Sequence, residues 1–149
     1  MPTLSRNLTW PELFSEAPPL DYGRIFACWQ PRVAIRGEIA PLGMSAFGSI
    51  FFAQRDRTIH CLDPLQGELR TIAEDYTQFQ NQMNSERWQI ENLHSNWVAE
   101  VVAMDVHRSP VQSYALAPHP NFTGGLSLEK SKVLVLDPVV WHSVAAQSF

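Results

Sequence analysis

Between Gly48 and Ile72 the chain alternates β-prone runs with two short turns, and no other stretch constrains its fold as strongly. Ser49 to Gln54 is rich in Ile and Phe, Arg55-Asp56-Arg57 is a polar turn, and Thr58 to Asp63 is a second β-prone run. Pro64-Leu65-Gln66-Gly67 is a turn with its own chemistry, proline fixing φ and glycine permitting positive φ, and Glu68 to Ile72 follows as a third run. Three short strands at this spacing predict an antiparallel meander. Within the middle strand Ile59 and Cys61 fall on one face, with Thr58, His60 and Leu62 on the other.

Helical periodicity takes over after the meander. Thr71 and Glu74 have capping-box spacing, and Ile72, Tyr76, Phe79 and Met83 recur at four, three and four. Past the polar break Asn84-Ser85 a second stripe runs Ile90, Leu93, Trp97, Val101 and Met104, predicting one amphipathic helix of about four to five turns. His94 then sits at the edge of that stripe or in solvent. Pro110, Pro118, Pro120 and Gly124-Gly125 predict an irregular connection over 107–128. Val133 to Leu136 is a buried-strand candidate, and Asp137-Pro138 supplies an N-cap and a first-turn proline for a helix over Val139 to Gln147. At the other end, residues 1–22 read as an N-terminal arm with one short helix, on Thr9, Pro11 and Glu12, stopped by Pro18-Pro19. Residues 23–42 suggest short extended pieces, and Gly43 to Gly48 a turn leading into the strand at Ser49. The fold class expected is α+β: a meander packed with amphipathic helices in a single domain over 23–149.

The composition permits this. With 45% hydrophobic and 17% charged residues, 149 residues can bury one core. The net charge of -4 argues against a general nucleic-acid binder. No apolar run reaches the length of a membrane span, Met1 to Arg6 lack the apolar stretch of a signal peptide, and two cysteines are too few to staple a secreted domain. A cytoplasmic protein with no membrane association is expected. Charge is uneven, however. Residues 55–105 carry Asp56, Asp63, Glu68, Glu74, Asp75, Glu86, Glu91, Glu100 and Asp105 against Arg55, Arg57, Arg70 and Arg87. Such a segment is either an ordinary solvated helix surface or an acidic face that steers a basic partner.

Catalytic and metal signatures are sparse. None of His60, His94, His107, His119 and His142 pairs with another at helical zinc-site spacing, and Cys-x-x-Cys, Gly-x-Ser-x-Gly and phosphate-loop glycine patterns are missing. No catalytic residue, cofactor or metal is assigned. Cys28 and Cys61 read as buried free thiols. Trp88, beside Glu86, Arg87 and Glu91, is either an exposed interface anchor or a cover on the core edge.

The run Leu42-Gly43-Met44-Ser45-Ala46-Phe47-Gly48-Ser49-Ile50-Phe51-Phe52, then Ile59 to Asp63, Gly67-Glu68-Leu69, Ile72-Ala73 and a helix carrying Phe79, resembles a small bacterial domain. That domain is the C-terminal part of type VI secretion immunity proteins that neutralise DNase effectors, often behind a GAD-related domain. Gly124-Gly125, Val133 to Asp137 and Ala146-Gln147 extend the likeness, while Ser49 stands where the family tends to have Asp. The resemblance implies a cytoplasmic protein that binds a toxin rather than one that catalyses. Because a nuclease groove is basic, Asp63, Glu68, Glu74, Asp75, Glu86, Trp88 and Glu91 are the candidate partner-binding residues. Two other readings are a small enzyme using His60 or His119 with a carboxylate, and an adaptor for a non-toxin partner.

Overall fold

The computed structural model describes residues 8–149, so the beginning of the arm, residues 1–7, lies outside the described residues. The meander consists of β3 (Ile50–Gln54), β4 (Ile59–Asp63) and β5 (Glu68–Ala73), antiparallel, with Phe51 opposite Cys61 and Cys61 opposite Arg70. Two earlier strands, β2 (Ile39–Ser45) and β1 (Phe14–Glu16), extend it into a five-stranded antiparallel sheet in the order β1-β2-β3-β4-β5. The edge strand β1 comes from the predicted arm and follows α1 (Trp10–Leu13), where the Glu12 carboxylate accepts from the Thr9 N–H at 2.7 Å. Leu13 and Phe14 are buried, so this part of the arm belongs to the core.

Several expected elements are replaced. Residues 23–42 do not begin as extended pieces: α2 (Tyr22–Ala27) starts there, its N-cap Asp21 accepting from the Arg24 N–H at 3.1 Å. Thr71 and Glu74 do not cap a helix, because pairing of Ala73 with Ile59 keeps the chain extended through β5. Asp75 caps α3 (Tyr76–Met83) instead, accepting from the Gln78 N–H at 2.8 Å. The single long helix is two, α4 (Glu86–Leu93) and α5 (Ser95–Ala103), hinged at His94 in the left-handed region (φ 52, ψ 43). That hinge rotates the buried face. Gln89, Leu93, Ser95, Val98 and Val101 point inward, whereas Ile90 and Met104 of the expected stripe are 40% and 52% exposed. Within the segment expected to be irregular, β6 (Ser113–Ala117) pairs antiparallel with β7 (Lys132–Leu136), with α6 (Pro120–Thr123) between them. Last comes α7 (Pro138–Ala146), where the Asp137 carboxylate accepts from the Val139 N–H at 2.8 Å, as its N-cap spacing predicts.

Strand alternation sorts the core into two layers. On one face Phe51 packs against Phe14, Phe79 of α3 and Trp88 of α4, at ring separations of 5.8, 5.7 and 6.1 Å. On the other, Phe52 meets Phe26 of α2 at 5.2 Å and stacks on His60 at 5.6 Å. The sheet is thus covered on both sides, which is why both faces of β4 are largely buried. The architecture is α+β.

One turn ties the layers together. Ser45 still belongs to β2, and Ala46, Phe47 and Gly48 link it to β3 with every carbonyl engaged by a distant group. Ala46 O accepts from the Tyr114 N–H at 2.8 Å, Phe47 O from the Trp141 indole N–H at 2.8 Å, and Gly48 O from His142 Nε2 at 2.7 Å. His142 Nδ1 in turn accepts from the Trp29 indole N–H at 2.9 Å. Gly48 has φ 92, and a Cβ there would lie 2.6 Å from Trp141 Cδ1 and 2.7 Å from Ser113 Oγ. Gly48→Ala is expected to cost about 2–4 kcal/mol in urea unfolding, from strain at positive φ and overpacking.

His142 also makes stability depend on pH. Complete burial, opposed by the bond to Gly48 and the field of Asp63, holds its pKa down at about 4 against an ordinary 6.5. The unfolded chain therefore takes up this proton first. The contribution is fully present above pH 6.5 and is lost as pH falls from 6.5 toward 4, up to about 3 kcal/mol. Burial shifts His60, His94 and His119 the same way. Denaturant midpoints measured from pH 7 to 4.5 are expected to fall with acidification. His142→Gln is expected to flatten that slope while lowering stability at pH 7.

Candidate functional site

The acidic residues singled out in the sequence fall on or under the layer formed by β5, α3 and α4, and they divide by what holds them. Asp63 is not at the surface. It is 1% exposed, its Oδ1 accepts from the Leu65 and Gln66 N–H groups at 2.9 and 3.2 Å, and its Oδ2 receives Arg70 Nη1 at 3.0 Å. A carboxylate closing the Pro64–Gly67 turn needs its lone pairs inward, and that takes Asp63 out of reach of a partner. Arg70 also pairs with the exposed Glu68 at 3.2 Å and donates to Asn92 Oδ1 at 3.2 Å, strapping α4 to β5. Glu91 is exposed but paired with Arg87 at 2.9 Å. Glu74, Asp75 and Glu86 are exposed and, among the described residues, form no salt bridge. Trp88 is half-buried, 5.7 Å from Phe79 in an edge-on pair, so it covers the core edge.

Beside these carboxylates lies a feature the sequence reading missed. A groove of about 610 Å³ opens between the β1–β2 edge of the sheet and α3, lined on one side by Phe14, Pro41 and Leu42 and on the other by Tyr76, Phe79 and Met83. Its shape has local causes. Leu42 is the extra residue of a bulge in β2, whose partners shift between Pro41 and Gly43. Phe14 can lie over Gly43 only because that residue has no side chain; a Cβ there would sit 2.1 Å from Phe14 Cζ. Tyr76, counted in the apolar stripe, is 52% exposed at the mouth, immediately after Glu74 and Asp75. Glu16 adds a further carboxylate to the lining. A partly exposed aromatic at an apolar depression with a charged rim has the anatomy of a protein-binding face.

The histidines are engaged elsewhere. His119 donates from Nε2 to Pro64 O at 2.8 Å and accepts at Nδ1 from the Asn121 N–H at 3.0 Å, so both ring nitrogens hold backbone. His60 sits 2.7 Å from Thr58 Oγ1 and 3.0 Å from Thr71 Oγ1, and the Thr58 hydroxyl donates to Asp56 Oδ1 at 2.6 Å. That places a carboxylate one hydroxyl away from His60, but neither residue lines the groove or the smaller cleft of about 320 Å³ beside His94 and Trp97. Cys61 is a buried free thiol whose pKa burial pushes up to about 12; Cys28 is a half-buried free thiol donating to Arg24 O at 3.2 Å. Among the described residues no group of three His, Cys, Asp or Glu side chains is arranged to hold a metal, and no helix is long and apolar enough to cross a membrane.

The fold and this face define an α+β domain with an acidic, aromatic-edged surface. Compared with known protein families and with curated protein sequences, the chain matches none.

The two kinds of acid separate experimentally. Asp63→Ala leaves two turn N–H groups and Arg70 without their acceptor and is expected to cost about 2–4 kcal/mol in chemical denaturation. Glu74→Ala and Glu86→Ala are expected to stay within about 0.5 kcal/mol of the parent protein.

Proposed function

We propose that this protein is a type VI secretion immunity protein that acts in the cytoplasm, binding a toxin effector with DNase activity and blocking it by stoichiometric occlusion. The observation that carries the reading is the free charge of Glu74, Asp75 and Glu86 beside an apolar groove with Tyr76 at its mouth. An enzyme that cleaves DNA presents a basic groove to the phosphate backbone, and an acidic face competes for that groove and speeds the encounter. The resemblance of residues 42–73 and of the C-terminal part to immunity domains supports the same conclusion. Occlusion needs no cofactor, no catalytic group and no contact with nucleic acid. Glu68 and Glu91, whose charges are shared with Arg70 and Arg87, contribute less than Glu74, Asp75 and Glu86, which form no salt bridge among the described residues.

The test begins by retrieving the partner with tagged protein from a lysate of the source cells. A toxin-like protein bound at one to one, whose DNA cleavage stops when this chain is added back, is the expected result; a partner whose activity is unaffected refutes the reading. Glu74→Lys, Glu86→Lys and Glu91→Lys combined are expected to weaken that complex about 10- to 100-fold at low salt and to flatten its salt dependence. Equal affinity of parent and variant at low and high salt removes the electrostatic part.

A further inference from the structure

We propose that the groove between the β1–β2 edge and α3 receives a basic amphipathic helix of the partner, its apolar side chains seated against Phe14, Leu42, Tyr76, Phe79 and Met83 and its Lys or Arg residues facing the acidic rim. This rests on the immunity reading for the identity of the partner, but the chemistry of the occupant comes from the groove itself. At about 610 Å³ the groove takes several large side chains. Phe14, Pro41, Leu42, Phe79 and Met83 make its walls mainly apolar, and Glu16, Gln80 and Asn84 add polar groups, so an amphipathic occupant suits it.

Within two residues of its lining, every charged side chain is acidic. Glu16 is in the lining, Glu74 and Asp75 lead into Tyr76, and Glu86 lies two residues beyond the lining residue Asn84. No Lys, Arg or His occurs among the lining residues or their immediate chain neighbours. Arg108, a cation that contacts this edge, is turned away from the groove. It donates to Ser15 Oγ at 3.0 Å and Pro11 O at 3.4 Å, and Ser15 points to the opposite side of β1 from the groove residues Phe14 and Glu16. An acidic segment would be repelled here, and a neutral one would leave the rim carboxylates without partners.

The same edge decides between helix and strand. Strand addition needs a long free edge of backbone donors and acceptors, but β1 is only three residues long and its inner edge is already paired with β2. What the groove offers is side-chain surface. That is the mode in which a helix docks its i, i+3, i+4 and i+7 side chains.

The experiment uses the full-length protein and a fluorescein-labelled 18-residue helical peptide of Leu and Lys with one apolar face. An analogue carrying Glu in place of every Lys serves as the comparison. Two variants at exposed positions alter the groove: Tyr76→Ser removes the aromatic at the mouth, and Gln80→Arg places a cation inside. Gln147→Arg, at the C-cap of α7, controls for total charge. Saturable binding of the Lys peptide at least tenfold tighter than the Glu peptide, weakened at least tenfold by Tyr76→Ser and by Gln80→Arg but not by Gln147→Arg, is expected. Equal binding of the two peptides, or binding indifferent to both groove variants, overturns the proposal. The immunity reading fails separately. A retrieved toxin still inhibited at parental strength by Gln80→Arg protein overturns the groove and leaves that reading standing, whereas a groove that passes the peptide test beside a toxin left active overturns only the reading.

Discussion

Three consecutive carbonyls, those of Ala46, Phe47 and Gly48, carry more of this structure than any helix or strand does. A reverse turn buried between layers must satisfy its backbone oxygens without water, and here each finds a donor from elsewhere in the chain. The donors come from β6 and from two adjacent residues of α7, one of which is oriented by Trp29 just after α2. One turn therefore fixes where the small sheet, the last helix and the early helix lie against the main sheet. Gly48 is required at the last of these positions because Trp141 and Ser113 occupy the space a side chain would need.

The opposite layer is organised by a different polar element. Asp63 closes the turn between β4 and β5 and holds Arg70, and Arg70 reaches Asn92 near the end of α4. This strap holds α4 beside the sheet and neutralises the charges nearest the core. It leaves Glu74 and Asp75, just ahead of α3, and Glu86, at the start of α4, without an ion pair among the described residues. Asp63 thus acts on the acidic face from below, by positioning the elements that bear it, and contributes no charge to its surface.

Local rules made the meander, the last strand and the last helix legible in the sequence, because β-prone runs, turn residues and the Asp137-Pro138 cap act over a few positions. The same rules misplaced features decided by tertiary context. Thr71 and Glu74 have the spacing of a cap, but sheet pairing claims them first. Ile90 to Met104 has a helical period, yet the left-handed turn at His94 changes which side is buried, and only the polar run His94-Ser95-Asn96 marked the break. β6 was hidden by flanking prolines and a sequence, Ser-Tyr-Ala-Leu-Ala, with no β-branched residue. Of the candidate site, the clustering of acids ahead of α3 and on α4 could be read from composition. The groove could not, since it joins residues near position 14, position 42 and position 80 that no local pattern connects.

The distance along the chain between the clamped turn and its clamp has a consequence for synthesis. Gly48 and His142 are 94 residues apart. As the polypeptide leaves the ribosome, β2 to β5 can pair as neighbours while α7 is still being made. Throughout that interval the Phe47 and Gly48 carbonyls lack their native donors. Completion of the native state waits for the last helix, which brings the donors that the Phe47 and Gly48 carbonyls require.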